Sequence, residues 1–195
     1  MIIAPFFMLQ PTAAIANATA TADIVMSANV PNTCYINNLA PIVTPSNVGA
    51  TSVSNTTNGS VTISYGNTLA DPITAIATPS VVTYSVNAYC NYAAHNVALK
   101  SDEGGLVTGS NQTTVGAFDH RINYAADFAW GSVHPSITTV GNLGTANAVP
   151  VVDNEIAPVP TNLNSTLTVA TAAGTNPLVA GTYGDTLRIS FGASL

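Results

Sequence analysis

Alternation of apolar and polar residues with period two runs through the chain. Val82, Tyr84, Val86, Ala88 and Cys90 alternate with Thr83, Ser85, Asn87 and Tyr89, the pattern of a strand with one buried and one solvated face. Ile122, Tyr124, Ala126, Phe128 and Trp130 alternate with Arg121, Asn123, Ala125, Asp127 and Ala129. Shorter runs repeat the pattern at Val61, Ile63 and Tyr65, and at Leu187, Ile189 and Phe191. Near the start, Ala22, Ile24, Met26, Ala28 and Val30 share one face, with Asp23, Ser27 and Asn29 opposite. Beyond the first residues no apolar run at i, i+3, i+4 and i+7 develops, because Pro, Gly, Asn and Thr interrupt it. Several strands separated by turn-rich loops predict an all-β sandwich. The stretch 40–60, rich in Pro, Ser, Asn and Gly, reads as a long loop or an edge region.

Composition narrows the function classes. Of 195 residues only 6% are charged, against roughly 25% in an ordinary soluble domain, while 47% are apolar. The formal net charge is −6, with 3 Lys+Arg against 9 Asp+Glu. Three cations cannot neutralise a run of phosphates, so no nucleic-acid partner is expected. Residues 1–18 combine an apolar run, Ile2 to Leu9, with Ala16-Asn17-Ala18, the A-x-A pattern of a secretory signal peptide cut after Ala18. No Lys or Arg precedes that run, which places the true start codon upstream or implies trimming. In an exported chain, two cysteines, Cys34 and Cys90, read as a disulfide. Closing so long a loop is worth up to about 4 kcal/mol on chain-entropy arithmetic.

Catalytic and metal chemistry finds little support. There is no G-x-S-x-G, H-E-x-x-H or phosphate loop, so no enzyme, metal or cofactor is expected. Asp119-His120-Arg121 is the densest polar cluster and reads as a solvated turn. Asp102-Glu103-Gly104-Gly105 suits a turn, and Asp153 and Glu155 form an isolated acidic pair. His95 shares a face with Val97 and Leu99, as a structural histidine would, and Trp130 falls on the core face of its strand. Tyr89 and Tyr92 are the candidates for exposed aromatics.

Three stretches carry a resemblance to a known family. They are the N-terminal alternating strand leading into Asn32-Thr33-Cys34, the strand ending at Cys90, and Ala180 to Phe191, AGTYGDTLRISF. Together they resemble the spore coat protein U domain, the fold of archaic (Csu-type) chaperone–usher pilins. The resemblance implies an incomplete immunoglobulin-like sandwich over 34–195, and an N-terminal donor strand over 19–33 that completes a neighbouring subunit. On that reading Ala22, Ile24, Met26, Ala28 and Val30 are the donor face, and Leu187, Ile189 and Phe191 border the acceptor groove. The implied partners are identical or related pilin subunits, a periplasmic chaperone and an outer-membrane usher. The implied destination is a cell-surface fimbrium serving adhesion and biofilm formation. From the residues alone an alternative stays open: a secreted monomeric β-sandwich, completed by its own residues 19–30, that binds a glycan or another protein.

Overall fold

In a computed structural model, residues 26–43, 52–54, 60–62, 69–109 and 116–192 are described. These residues form thirteen strands: β1 (Cys34–Val43), β2 (Ser52–Ser54), β3 (Ser60–Thr62), β4 (Ser80–Cys90), β5 (His95–Ser101), β6 (Leu106–Thr108), β7 (Arg121–Ile122), β8 (Tyr124–Ala129), β9 (Ser136–Thr138), β10 (Val151–Ala157), β11 (Thr161–Thr171), β12 (Tyr183–Gly184) and β13 (Leu187–Phe191). One five-stranded antiparallel sheet has the order β1-β4-β11-β8-β9, a second the order β10-β5-β13-β3-β2, and β12-β6-β7 makes a third, small sheet. The all-β expectation holds. Residues Asn32–Leu195 make one compact unit; residues 1–31 form another, of which 26–31 are described and adopt neither helix nor strand.

The core follows directly from the period-two pattern. Val82, Tyr84, Val86 and Ala88 of β4 and Tyr124, Ala126 and Phe128 of β8 meet Val97 and Leu99 of β5 and Leu187 and Ile189 of β13 in a single apolar cluster. Aromatic contacts tie the two sheets at one end. Phe191 lies edge-on to Phe128, with ring centroids 5.9 Å apart, and its centroid is 4.6 Å from that of Trp130. The longest strand pair, β4 with β11, runs in unbroken register from Cys90↔Thr161 to Ser80↔Thr171. Of the stretch 40–60, expected as a long loop or an edge region, the described residues include the end of β1, at Val43, and β2 at 52–54, each at the margin of its sheet. Ala22, Ile24, Ile63, Tyr65 and the expected leader 1–18 lie outside the described residues.

The acidic pair Asp153 and Glu155 is not isolated. Both side chains project from β10, the outermost strand of one sheet, toward β9, the outermost strand of the other. Ser136 N–H donates to Asp153 Oδ2 at 2.8 Å, and His134 N–H donates to Glu155 Oε2 at 3.0 Å. Backbone donors at a sheet margin would otherwise offer a pairing template to another chain, and carboxylates occupy them here.

All three cations are tied into strands. Lys100 and Arg188 sit directly opposite each other on β5 and β13, an arrangement of like charges that costs stability unless compensated. Asp102 compensates both, with Lys100 Nζ 3.2 Å from Oδ1 and Arg188 Nη2 2.7 Å from Oδ2. The Arg188 hydrogen bond holds the Asp102 carboxyl below the usual range. Arg121, the third, is fully buried. Trypsin needs an extended segment around Lys or Arg, so cleavage of the folded chain should proceed only through unfolding. Digestion followed by mass spectrometry should leave the native protein intact while the unfolded chain is cut. Rapid native cleavage after Lys100 or Arg188 would contradict these placements.

Candidate functional site

The Ala180–Phe191 stretch is organised around two side chains. Tyr183 OH lies 3.0 Å from the Asp119 carbonyl and 2.8 Å from the Val179 carbonyl, and donates its hydrogen to them. Burial first, and then the Asp119 carboxylate, push its pKa up to about 12. Asp185 is an acceptor hub. Its Oδ2 receives hydrogen bonds from Ser101 Oγ (2.5 Å), Tyr124 OH (2.8 Å) and Gly105 N–H (3.2 Å), and its Oδ1 receives one from Glu103 N–H (2.9 Å). One carboxylate thereby joins the approach to β13, the β5–β6 turn and strand β8. Ser101 Oγ in turn accepts from Gly104 N–H at 2.8 Å.

The cluster Asp119-His120-Arg121 departs from expectation. All three residues are buried, with Arg121 at 1% exposure, so the reading as a solvated turn is corrected. Neighbouring backbone supplies the partners that water would otherwise provide. Arg121 Nη1 donates to the carbonyls of Glu103 (2.8 Å) and Gly104 (2.5 Å), and Nη2 to that of Asn147. Desolvation lowers the guanidinium pKa, while Asp185 and Glu103 oppose that change. A Cβ at Gly141 would come within 2.6 Å of Arg121 Cζ, Nε and Nη1, so a side chain there would displace the guanidinium from this position. Gly104, at φ +68°, passes so close to the Val149 carbonyl that any side chain would collide with it. Asp119 Oδ1 accepts from Asn176 Nδ2 at 3.1 Å.

His95 is a buried structural histidine. Trp130 Nε1–H donates to its Nε2 at 3.1 Å, leaving Nδ1 to donate to the Tyr92 carbonyl at 2.8 Å. Tyr92 packs edge-on against the His95 ring rather than standing free. Tyr89 is exposed and has an aromatic neighbour that no local pattern announces. Tyr35 lies across from it on β1, with ring centroids 6.0 Å apart. Among the described residues, no three His, Cys, Asp or Glu side chains gather around a point where a metal ion could sit.

The expected assembly residues fall into two groups. Met26 and Val30 are 89% and 74% exposed, and Ala28 is exposed as well. Leu187 and Ile189 are buried in the core, and Phe191 is half-buried. Strand β13 is not at the margin of its sheet, because it lies between β5 and β3 and pairs with β3 at Leu187↔Val61 and Arg188↔Ser60. Cys34 and Cys90 are joined in a disulfide, as expected. Comparison with protein-family models, with curated proteins and with solved structures finds no match.

Two outcomes follow from the Tyr183–Asp185 geometry. Asp185→Ala strands four donors, so denaturant unfolding should show a loss of about 2–4 kcal/mol; a loss well under 1 kcal/mol would show that the hub is not what holds these elements. Tyr183 has a raised folded-state pKa, so its contribution is complete below the unfolded value near 10. That contribution should fade as pH rises from there through about 12. Tyr183→Phe should flatten this alkaline decline in a melting-temperature series, and an unchanged slope would remove Tyr183 as its source.

Proposed function

We propose that the chain is a structural subunit that polymerises by donor-strand exchange into a surface fibre, as in the archaic chaperone–usher pilins it resembles. The observation that carries this reading is the order of strands. Lettering β1, β4, β5, β8, β11 and β13 as A to F gives A-B-E-D in one sheet and C-F in the other. Set apart from β9 and β10, that order agrees with a constant-type immunoglobulin sandwich, in which strand G lies next to F, and supports the incomplete-sandwich reading. Here β3, from the A–B connection, takes that position and pairs with Leu187 and Arg188. An incoming donor strand would take the place of β3 along β13, over Leu187, Ile189 and Phe191.

The proposed donor supports the same reading. Met26 and Val30 are exposed side chains that a neighbour's groove would bury. Adding Ile24, the three side chains would gain roughly 5–9 kcal/mol on burial, before ordering entropy is subtracted. An alternating segment laid along a sheet edge supplies backbone hydrogen bonds as well as pocket contacts. Such a head-to-tail contact does not close on itself and therefore grows as a filament. The opposite seam of the sandwich, where Asp153 and Glu155 occupy the backbone donors of Ser136 in β9 and of His134 just before it, is guarded against strand addition. On this reading a periplasmic chaperone covers β13 during export, an outer-membrane usher delivers the subunit, and adhesion and biofilm formation are the fibre's work.

A second reading, a monomeric module binding a glycan or another protein, draws on the exposed Tyr35–Tyr89 pair. One gel separates the two. The secreted protein, run denatured with and without boiling, should give a ladder that collapses to one band on heating; a monomer in both lanes favours the binding module. Met26→Asp places a charge where a dry pocket is required, so it should abolish the ladder while leaving the chaperone co-purifying. A normal ladder from that variant would overturn the donor assignment.

A further inference from the structure

We propose that the Cys34–Cys90 disulfide is a mechanical clamp, placed where a pull on the N-terminal segment enters the sandwich. Among the described residues, strand β1 is an outermost strand of its sheet and pairs with β4 alone. The pairing begins at Cys34↔Cys90 and proceeds to Val43↔Thr83. A force drawing residues ahead of Thr33 away from the domain would therefore load the Thr33–Asn91 hydrogen bonds and then, first in the β1–β4 ladder, the Cys34–Cys90 pair, and open the rest in sequence. Edge strands fail most readily in this zipper geometry, because one pair of residues at a time carries the force.

The sandwich closes that first tooth covalently. The bridge joins the first residue of β1 to the last residue of β4. Immediately beside it, Thr33 and Asn91 exchange hydrogen bonds: Thr33 N–H to Asn91 Oδ1 at 2.7 Å, and Asn91 N–H to the Thr33 carbonyl at 3.0 Å. Tension arriving at Cys34 passes into Cys90 before any β1–β4 hydrogen bond is strained. Strand β4 is held on its other flank by β11 through all eleven of its residues. The bridge thus transfers the pull from an outermost strand of the sheet to one supported on both sides.

The clamp rests on the assembly reading for the origin of the tension, since a donor strand is what a neighbouring subunit would pull. The test uses the single folded domain, so clamp and polymer can fail separately. Optical tweezers would pull the chain between a handle ahead of residue 31 and one at the C-terminal end. A control would pull between the C-terminal end and a handle on a non-natural residue at the exposed Asn142. Reduction in place should introduce an early, low-force step in the first geometry that the oxidised chain lacks. It should also add about 190 Å to the unfolded length for the 56-residue separation, which verifies that the bridge was opened. Cys34→Ser with Cys90→Ser should behave like the reduced chain. Where that variant does not fold, reduction of the folded oxidised protein gives the same comparison. An unchanged first rupture after verified reduction would overturn the proposal. So would an equal drop in both pulling geometries, since the bridge would then be a general stabiliser.

Discussion

The fold depends on a constraint that its composition imposes: with so few charged groups, those withdrawn from water must find their partners among backbone groups and neutral side chains. Asp185 meets this by accepting from two hydroxyls and two N–H groups, and Arg121 by donating to three loop carbonyls. A carboxylate in so many hydrogen bonds keeps its charge away from water at tolerable cost, where an unpaired one would not. The two side chains do not bond to each other, yet both grip the turn at residues 103–105. That turn leads from β5 into β6, and β5 lies beside β13, so the final strand is held through its approach as well as through its ladder.

What was legible in the sequence was whatever a two-residue period can express. The inward faces of β4 and β8 and the inward positions of β13 were all read from alternation, because each repeats an apolar residue often enough to stand out. Strand β11 escaped although it pairs along the whole of β4. Its inward positions include Ser165 and Thr171, which interrupt the apolar alternation. Strand β1 was hidden for a different reason. Its Asn and Pro residues look like turn chemistry, and its place is set by β4 and a disulfide instead of by its own propensity.

The polar sites were less legible, and for a common reason. Burial of Asp119, His120 and Arg121 depends on chain arriving from residues 141–147 and 176–179, far away in sequence. No local pattern reports that arrival. The Gly-x-Tyr-x-Asp-Thr run at 181–186 did mark an important place, but its work concerns residues near 101, 119 and 124. The Tyr35–Tyr89 neighbourhood likewise needs the β1–β4 register, which the sequence does not state. Met26 and Val30 were visible as an alternating face, and their exposure distinguishes them from the alternating strands of the core.

The sole tryptophan of the chain lies at an informative point. Trp130 is buried, hydrogen-bonded through its indole to His95, and in ring contact with Phe128 and with Phe191 at the end of β13. Its emission therefore originates at one known location, where the two sheets meet beside the last residues of the final strand. Any event that shifts Phe191 or admits water to that corner changes the surroundings of a single fluorophore. The molecule thus carries a built-in optical reporter of the state of its closing strand, with no label required.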